Sequence, residues 1–286
     1  MVAGVQITSC LPTDTRPEPG TLNVVGETEA RTLEGFSTDD GWTMRFERML
    51  VSVGHSSAEG DDCTSYNDPD YARVLDALRP GQQKINTVFC QGFCELDIEL
   101  SSPNAESALG AGVTAADRDL LRTPGKDAYV PEGGLSVLLD GTATKGGTDK
   151  HFAWAYRNRI DYSVCQHYEN GVLVGGLRVV AKQTTTTRVT FHASAPFQQQ
   201  LEPKDAMLGF EHFAAADADQ DGEVTLDELA RVSLGDIETQ DRFADAKPGW
   251  ATLADYVYLG LFPKLVRYED DGVCELEVFP NDRAPR

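Results

Sequence analysis

Basic residues are scarce in this chain: 25 Lys and Arg stand against 46 Asp and Glu among 286 residues, a formal net charge of −21. A surface of that sign repels phosphates instead of releasing their counterions, which argues against nucleic acid and bare anionic membrane as partners. Long apolar runs are missing too. Nothing approaches the roughly 18 consecutive apolar residues of a membrane-spanning helix. The short catalytic signatures are also lacking: there is no GxSxG, no HExxH, no phosphate-cradling glycine loop and no kinase-like set. No catalytic residue is therefore assigned. The remainder, 41% hydrophobic with 25% charged residues, has the composition of a folded protein.

From residue 21 to 200 the apolar residues recur with period two. Residues 22–26, 42–53, 85–89, 94–100, 135–139, 151–165, 172–182 and 184–193 read as strands, and Gly/Asn/Asp clusters between several of them read as turns. Short strands without alternating helices point to a mainly β fold, an antiparallel β-sandwich. Two helices are expected as decoration. Residues 68–78 place Tyr71, Val74, Leu75 and Leu78 at helical spacing behind Asp68-Pro69. Residues 114–121 open with Thr114 and carry Asp117 three positions on, a capping-box pattern. From Pro203 the period becomes helical, through Met207, Leu208, Glu211, His212 and Ala215, and again over 252–262. Residues 273–278 alternate once more and can return to the sandwich. The organisation is thus a leader or tether over 1–20, a β-sandwich over 21–200, and a helical segment over 201–286.

Apart from Cys10, five cysteines remain: Cys63, Cys90, Cys94, Cys165 and Cys274. Five cannot all pair, and no second CxxxC accompanies Cys90 and Cys94 to complete a zinc set. The expectation is two disulfides, Cys63 with Cys90 or Cys94 and Cys165 with Cys274, as suits an exported protein. The alternative is a copper or zinc site using His192 or the Cys165/His167 pair. Another alternative is a carbohydrate-binding module in which Trp42, Trp154 and Trp250 line a surface; packing is the commoner fate of a strand Trp.

The acid excess is concentrated. Residues 201–286 hold 20 acids and 8 bases, and six of those acids fall within 217–228, Asp-Ala-Asp-Gln-Asp-Gly-Glu-Val-Thr-Leu-Asp-Glu. A calcium ion takes six to eight hard oxygen ligands. Asp217, Asp219 and Asp221 stand at loop positions one, three and five, with Gly222 at six for the sharp turn. Glu223 offers a carbonyl at seven, Thr225 stands at nine and Glu228 at twelve for bidentate ligation. Over 205–233 this resembles the EF-hand calcium-binding family. The resemblance implies Ca²⁺ as cofactor and helices on both sides of the loop, the exiting one over 226–232. It also implies that Val224, at position eight, forms a short β bridge to a neighbouring loop. No second loop follows: residues 236–245 are acidic but lack the central Gly and terminal Glu. A lone hand of extracellular-type affinity, on the order of 10⁻⁴ to 10⁻³ M, fills only where calcium is millimolar.

At the N-terminus, Ile7-Thr8-Ser9-Cys10 resembles the lipobox of bacterial lipoproteins. It implies lipidation of Cys10 and a flexible tether over 11–20. No Lys or Arg precedes Cys10, so a leader would have to extend upstream of Met1; otherwise Cys10 is an ordinary free thiol. The combined expectation is an exported calcium-binding protein, periplasmic, outer-membrane-anchored or at the cell surface. It would bind a protein or glycan partner there, and its only membrane contact would be a lipid on Cys10.

Overall fold

The alternating stretches form strands because each buries one face more deeply than the other. Strand β1 (Gly20–Thr28), for example, is alternately buried and half-buried along its whole length. A computed structural model describes residues 16–202, 206–237 and 242–279; Cys10 and the lipobox-like residues lie outside these. The strands that follow are β2 (Phe36–Ser37), β3 (Thr43–Glu59), β4 (Cys63–Ser65), β5 (Ala72–Asp76), β6 (Gln83–Leu100), β7 (Ala108–Leu109) and β8 (Val137–Lys145). After them come β9 (Thr148–Tyr156), β10 (Arg159–Glu169), β11 (Val172–Gly175), β12 (Leu177–Val179), β13 (Thr184–Phe191), β14 (Val266–Tyr268) and β15 (Val273–Phe279). The helices are α1 (Ala30–Glu34), α2 (Ala115–Arg122), α3 (Glu211–Ala216), α4 (Leu226–Leu229) and α5 (Leu253–Asp255). Among the described residues no helix is long and apolar enough to cross a membrane.

The fold is mainly β, and the sheet is mixed rather than antiparallel throughout. Its main path runs β14-β13-β1-β6-β3-β5-β7. β1 and β13 run parallel, as do β5 and β7. The long β6 spans two expected strands, 85–89 and 94–100. Its first part pairs with β1, β4 and β12, and its last part with β3 and β10. At the changeover stands Gly92, where a Cβ would lie 1.9 Å from the Asp62 carbonyl oxygen. The 68–78 helix is not formed. Ala72–Asp76 is a strand between β3 and β7, and tertiary burial of Ala72, Val74 and Leu75 overrides the helical spacing. By contrast α2 carries the Thr114/Asp117 capping box in full.

The C-terminal helical segment is short and belongs to the same core. Residues 206–210, just before α3, are not helical: Gln199 N–H bonds to Met207 O and Gly209 N–H to Phe197 O. α3 starts only where Asp40, from the turn before β3, accepts from Phe210 N–H and Glu211 N–H. After α5 a π-helical turn (Tyr256–Leu261) and a 3₁₀ turn (Phe262–Leu265) lead back to β14 on β13, and β15 pairs β10. Aromatic contacts bind the segment to β9: Tyr156 stacks on Phe262 with ring centroids 3.7 Å apart, and Trp154 meets Phe213 at 5.6 Å, with Phe197, just before the segment, at 5.2 Å. Disulfides join Cys63 to Cys94 and Cys165 to Cys274. Cys90 is a buried free thiol, its pKa pushed up to about 11 by burial.

The β1–β13 closure carries a buried Glu–His contact. Glu29 accepts from Ser194 Oγ at 2.7 Å and Thr32 Oγ1 at 2.9 Å, and faces His192 Nδ1 at 3.1 Å. Burial alone would raise its carboxyl, but His192 and the two hydroxyls outweigh that and hold it at about 2. A carboxyl depressed in the folded state adds stability that is fully present above about pH 4.5 and is lost as pH falls toward 2. Glu29→Gln is therefore expected to cost about 3 kcal/mol in denaturant unfolding at pH 7. The gap to wild type should close between pH 4.5 and 2, and a pH-independent gap would contradict the assignment.

Candidate functional site

The acidic loop 217–228 lies against the free side of β9. The β8–β9 hairpin turns at Gly146-Gly147, and among the described residues β9 pairs with no other strand. Its open edge is covered by the loop: His151 N–H bonds Gly222 O at 2.8 Å, and Val224 N–H bonds His151 O at 2.8 Å. This forms a parallel bridge between His151 and Glu223. Just inside, buried Trp154 donates its Nε1–H to Val224 O at 2.8 Å. Both polar groups of Val224 are thus satisfied by β9, as a buried main chain requires. The bridge that Val224 makes is therefore to this strand.

Within the loop the carboxylates differ in role. Asp217, Asp219 and Asp221 each bring a ligand oxygen within 4.8 Å of the others. Asp217 is 6% exposed, whereas Asp219 and Asp221 face solvent. Its Oδ2 accepts from Gly222 N–H at 3.1 Å and from the Lys150 ammonium of β9. Its Oδ1 is buried with no hydrogen-bond partner. The Lys150 bond, joined by Gly222 N–H, holds the Asp217 carboxyl below the usual range against the opposing effect of desolvation. Gly222 takes φ +89, and a Cβ there would touch nothing, so the backbone conformation and not space is what favours glycine.

The side chains of the other candidate residues have partners of their own. Glu223 Oε2 meets His151 Nδ1 at 2.7 Å, while His151 Nε2 meets Asp140 at 2.8 Å; the bonds from Glu223 first and Asp140 second hold the imidazole pKa above its usual value. Thr225 caps α4 by accepting from Glu228 N–H, and Glu228 Oε2 accepts in return from Thr225 N–H and its hydroxyl. The structure brings together Asp217, Asp219 and Asp221, places Thr225 and Glu228 in a reciprocal cap, and gives the Glu223 side chain to His151. Comparison with protein families, curated proteins and solved structures finds no match to this chain.

The remaining candidates are engaged elsewhere. Cys165 is in a disulfide, so it offers no thiolate beside His167, which meets Glu169 at 3.1 Å. His192 is held by Glu29 and Thr190. Trp42 and Trp154 are buried in the core, and Trp250 packs on Tyr256. A cavity of about 770 Å³ is lined by Tyr162, Tyr168, Arg267 and Leu276 beside Cys274, and by none of the loop residues. Residues that sequence reasoning missed are Lys150 and the cross-strand role of His151. They lie 67 and 72 residues from their loop partners, and no local spacing signals them.

If the indole anchors the loop, Trp154→Phe leaves the Val224 carbonyl buried and unpaired. The expected loss of stability is at least about 2 kcal/mol, with hydrogen exchange at Val224 N–H accelerated relative to the β3–β8 ladder. Unchanged exchange at Val224 would show that the loop is held by other contacts.

Proposed function

We propose that residues 217–228 form a calcium site of EF-hand type whose ion fastens the C-terminal helical segment to the edge of the sheet. The observation that carries this reading is the Asp217 carboxylate, nine-tenths buried, with one oxygen lacking a partner beside Asp219 and Asp221. An orphaned buried carboxylate oxygen is costly, and a hard cation satisfies it. The donor set fits calcium: Asp217, Asp219 and Asp221 with the Glu223 carbonyl, Thr225 and Glu228 would hold the ion, all through oxygen. Calcium supplies charge neutralisation and cross-linking here, with no chemistry of its own. The single loop, bridged to a strand in place of a second hand, suits a structural brace better than a sensor that opens.

In this reading the protein is exported, the bent sheet works as a sandwich-like body, and calcium-dependent binding or scaffolding of a protein or glycan at a cell surface is its role. Two disulfides support an oxidising compartment, and the acid excess disfavours nucleic acid. Membrane attachment, through a lipid on Cys10, belongs to the same proposal. The copper or zinc alternative is weakened by the Cys165–Cys274 disulfide, which removes its only thiolate.

Calorimetric titration of the chelated protein with calcium should give one site. At a hundredfold excess over Kd the ion should stabilise the fold by about 2.7 kcal/mol, read as a rise in Tm that chelator reverses. Glu228→Gln should abolish both effects. Absence of heat together with an unchanged Tm would overturn the reading.

A further inference from the structure

We infer that Lys150 is an affinity-setting residue for this loop, a tethered cation that stands in for part of the ion's charge and weakens calcium binding. The inference rests on the calcium reading and concerns only how tightly the site binds. Lys150 comes from β9, one residue before the His151 main-chain bridge, so the same edge that positions the loop also delivers the ammonium. Both ends of the pair are shielded: the Lys150 side chain is 15% exposed and that of Asp217 is fully buried. The ammonium engages Oδ2, which Gly222 N–H also holds, and leaves Oδ1 without a partner beside the other two carboxylates. The carboxylate therefore keeps its orientation through a neutral donor, while Lys150 adds charge.

The two consequences have opposite signs. Six carboxylates in twelve residues repel one another, and in the calcium-free protein Lys150 on Asp217 offsets part of that repulsion, as His151 does on Glu223. With calcium bound to the other oxygen of the same carboxylate, the ammonium faces a divalent cation only a few ångströms off, across a poorly solvated gap. Coulomb repulsion at that range, even with the screening typical of a protein surface, corresponds to about a tenfold loss of affinity or more. A cleft of about 400 Å³ next to the site, lined by Trp42, Lys145, Thr148, Lys150, Glu211 and Ala214, gives the side chain room to draw back.

Lys150→Gln separates charge from hydrogen bonding, because the amide still reaches toward Oδ2 as a donor without carrying a positive charge. Lys150→Arg retains the charge. Calcium titration by calorimetry, with Tm measured in chelator and in saturating calcium, is expected to give about tenfold tighter binding for Lys150→Gln than for wild type. The same variant should have a lower Tm in chelator and a larger calcium-induced rise, and Lys150→Arg should bind within about threefold of wild type. A residue of merely structural importance would weaken binding and lower Tm under both conditions. Equal or weaker binding by Lys150→Gln, with wild type binding calcium, overturns the role of Lys150 and leaves the calcium site standing. No heat from either protein, with Tm unchanged by calcium in both, overturns both.

Discussion

Among the described residues strand β9 has a strand partner on one side only, and the fold closes its other edge with the main chain of the acidic loop. Two hydrogen bonds to His151 and a third from the Trp154 indole to the Val224 carbonyl fix residues 222–224 in place. An uncovered edge would expose unpaired peptide groups; here the cover is itself the most acidic twelve-residue stretch of the chain. From this attachment the rest of the C-terminal segment follows. Trp154 and Tyr156 present aromatic faces to Phe197, Phe213 and Phe262, and the chain then returns through β14 and β15 to the same sheet.

Placing so many carboxylates on a sheet edge requires opposite charge close by, and β9 supplies it. Lys150 meets Asp217, and His151 lies between Glu223 and Asp140. These contacts are uneven in worth. The Lys150 pair is shielded from water, whereas His151 and Glu223 are partly exposed and screened by salt. What they leave uncompensated is the buried oxygen of Asp217, the point at which a cation would change the energy of the loop most.

Legibility in the sequence follows from the range of the interaction concerned. Period-two alternation marks most strands of the body, and the Thr114/Asp117 and Thr225/Glu228 caps sit within four residues, so both can be read locally. The Asp217/Asp219/Asp221 spacing is legible for the same reason. Residues 68–78 mislead because a strand buried on both faces places apolar residues in succession, which mimics helical spacing. The parallel pairing of β1 with β13 has no local trace at all, since either direction satisfies the same alternation. Lys150 reads in isolation as one more charged residue near a turn; its meaning appears only once β9 and the loop are side by side.

The buried indole beside the loop provides a direct probe of the central claim, that 217–228 is a hard-cation site fastened to β9. Terbium takes the oxygen ligands that calcium takes and emits when a nearby Trp is excited. With Trp154 bonded to the Val224 carbonyl, Trp-sensitised terbium emission is expected that calcium in large excess displaces competitively and that magnesium displaces poorly. Emission that is absent, or that calcium fails to displace, would contradict it.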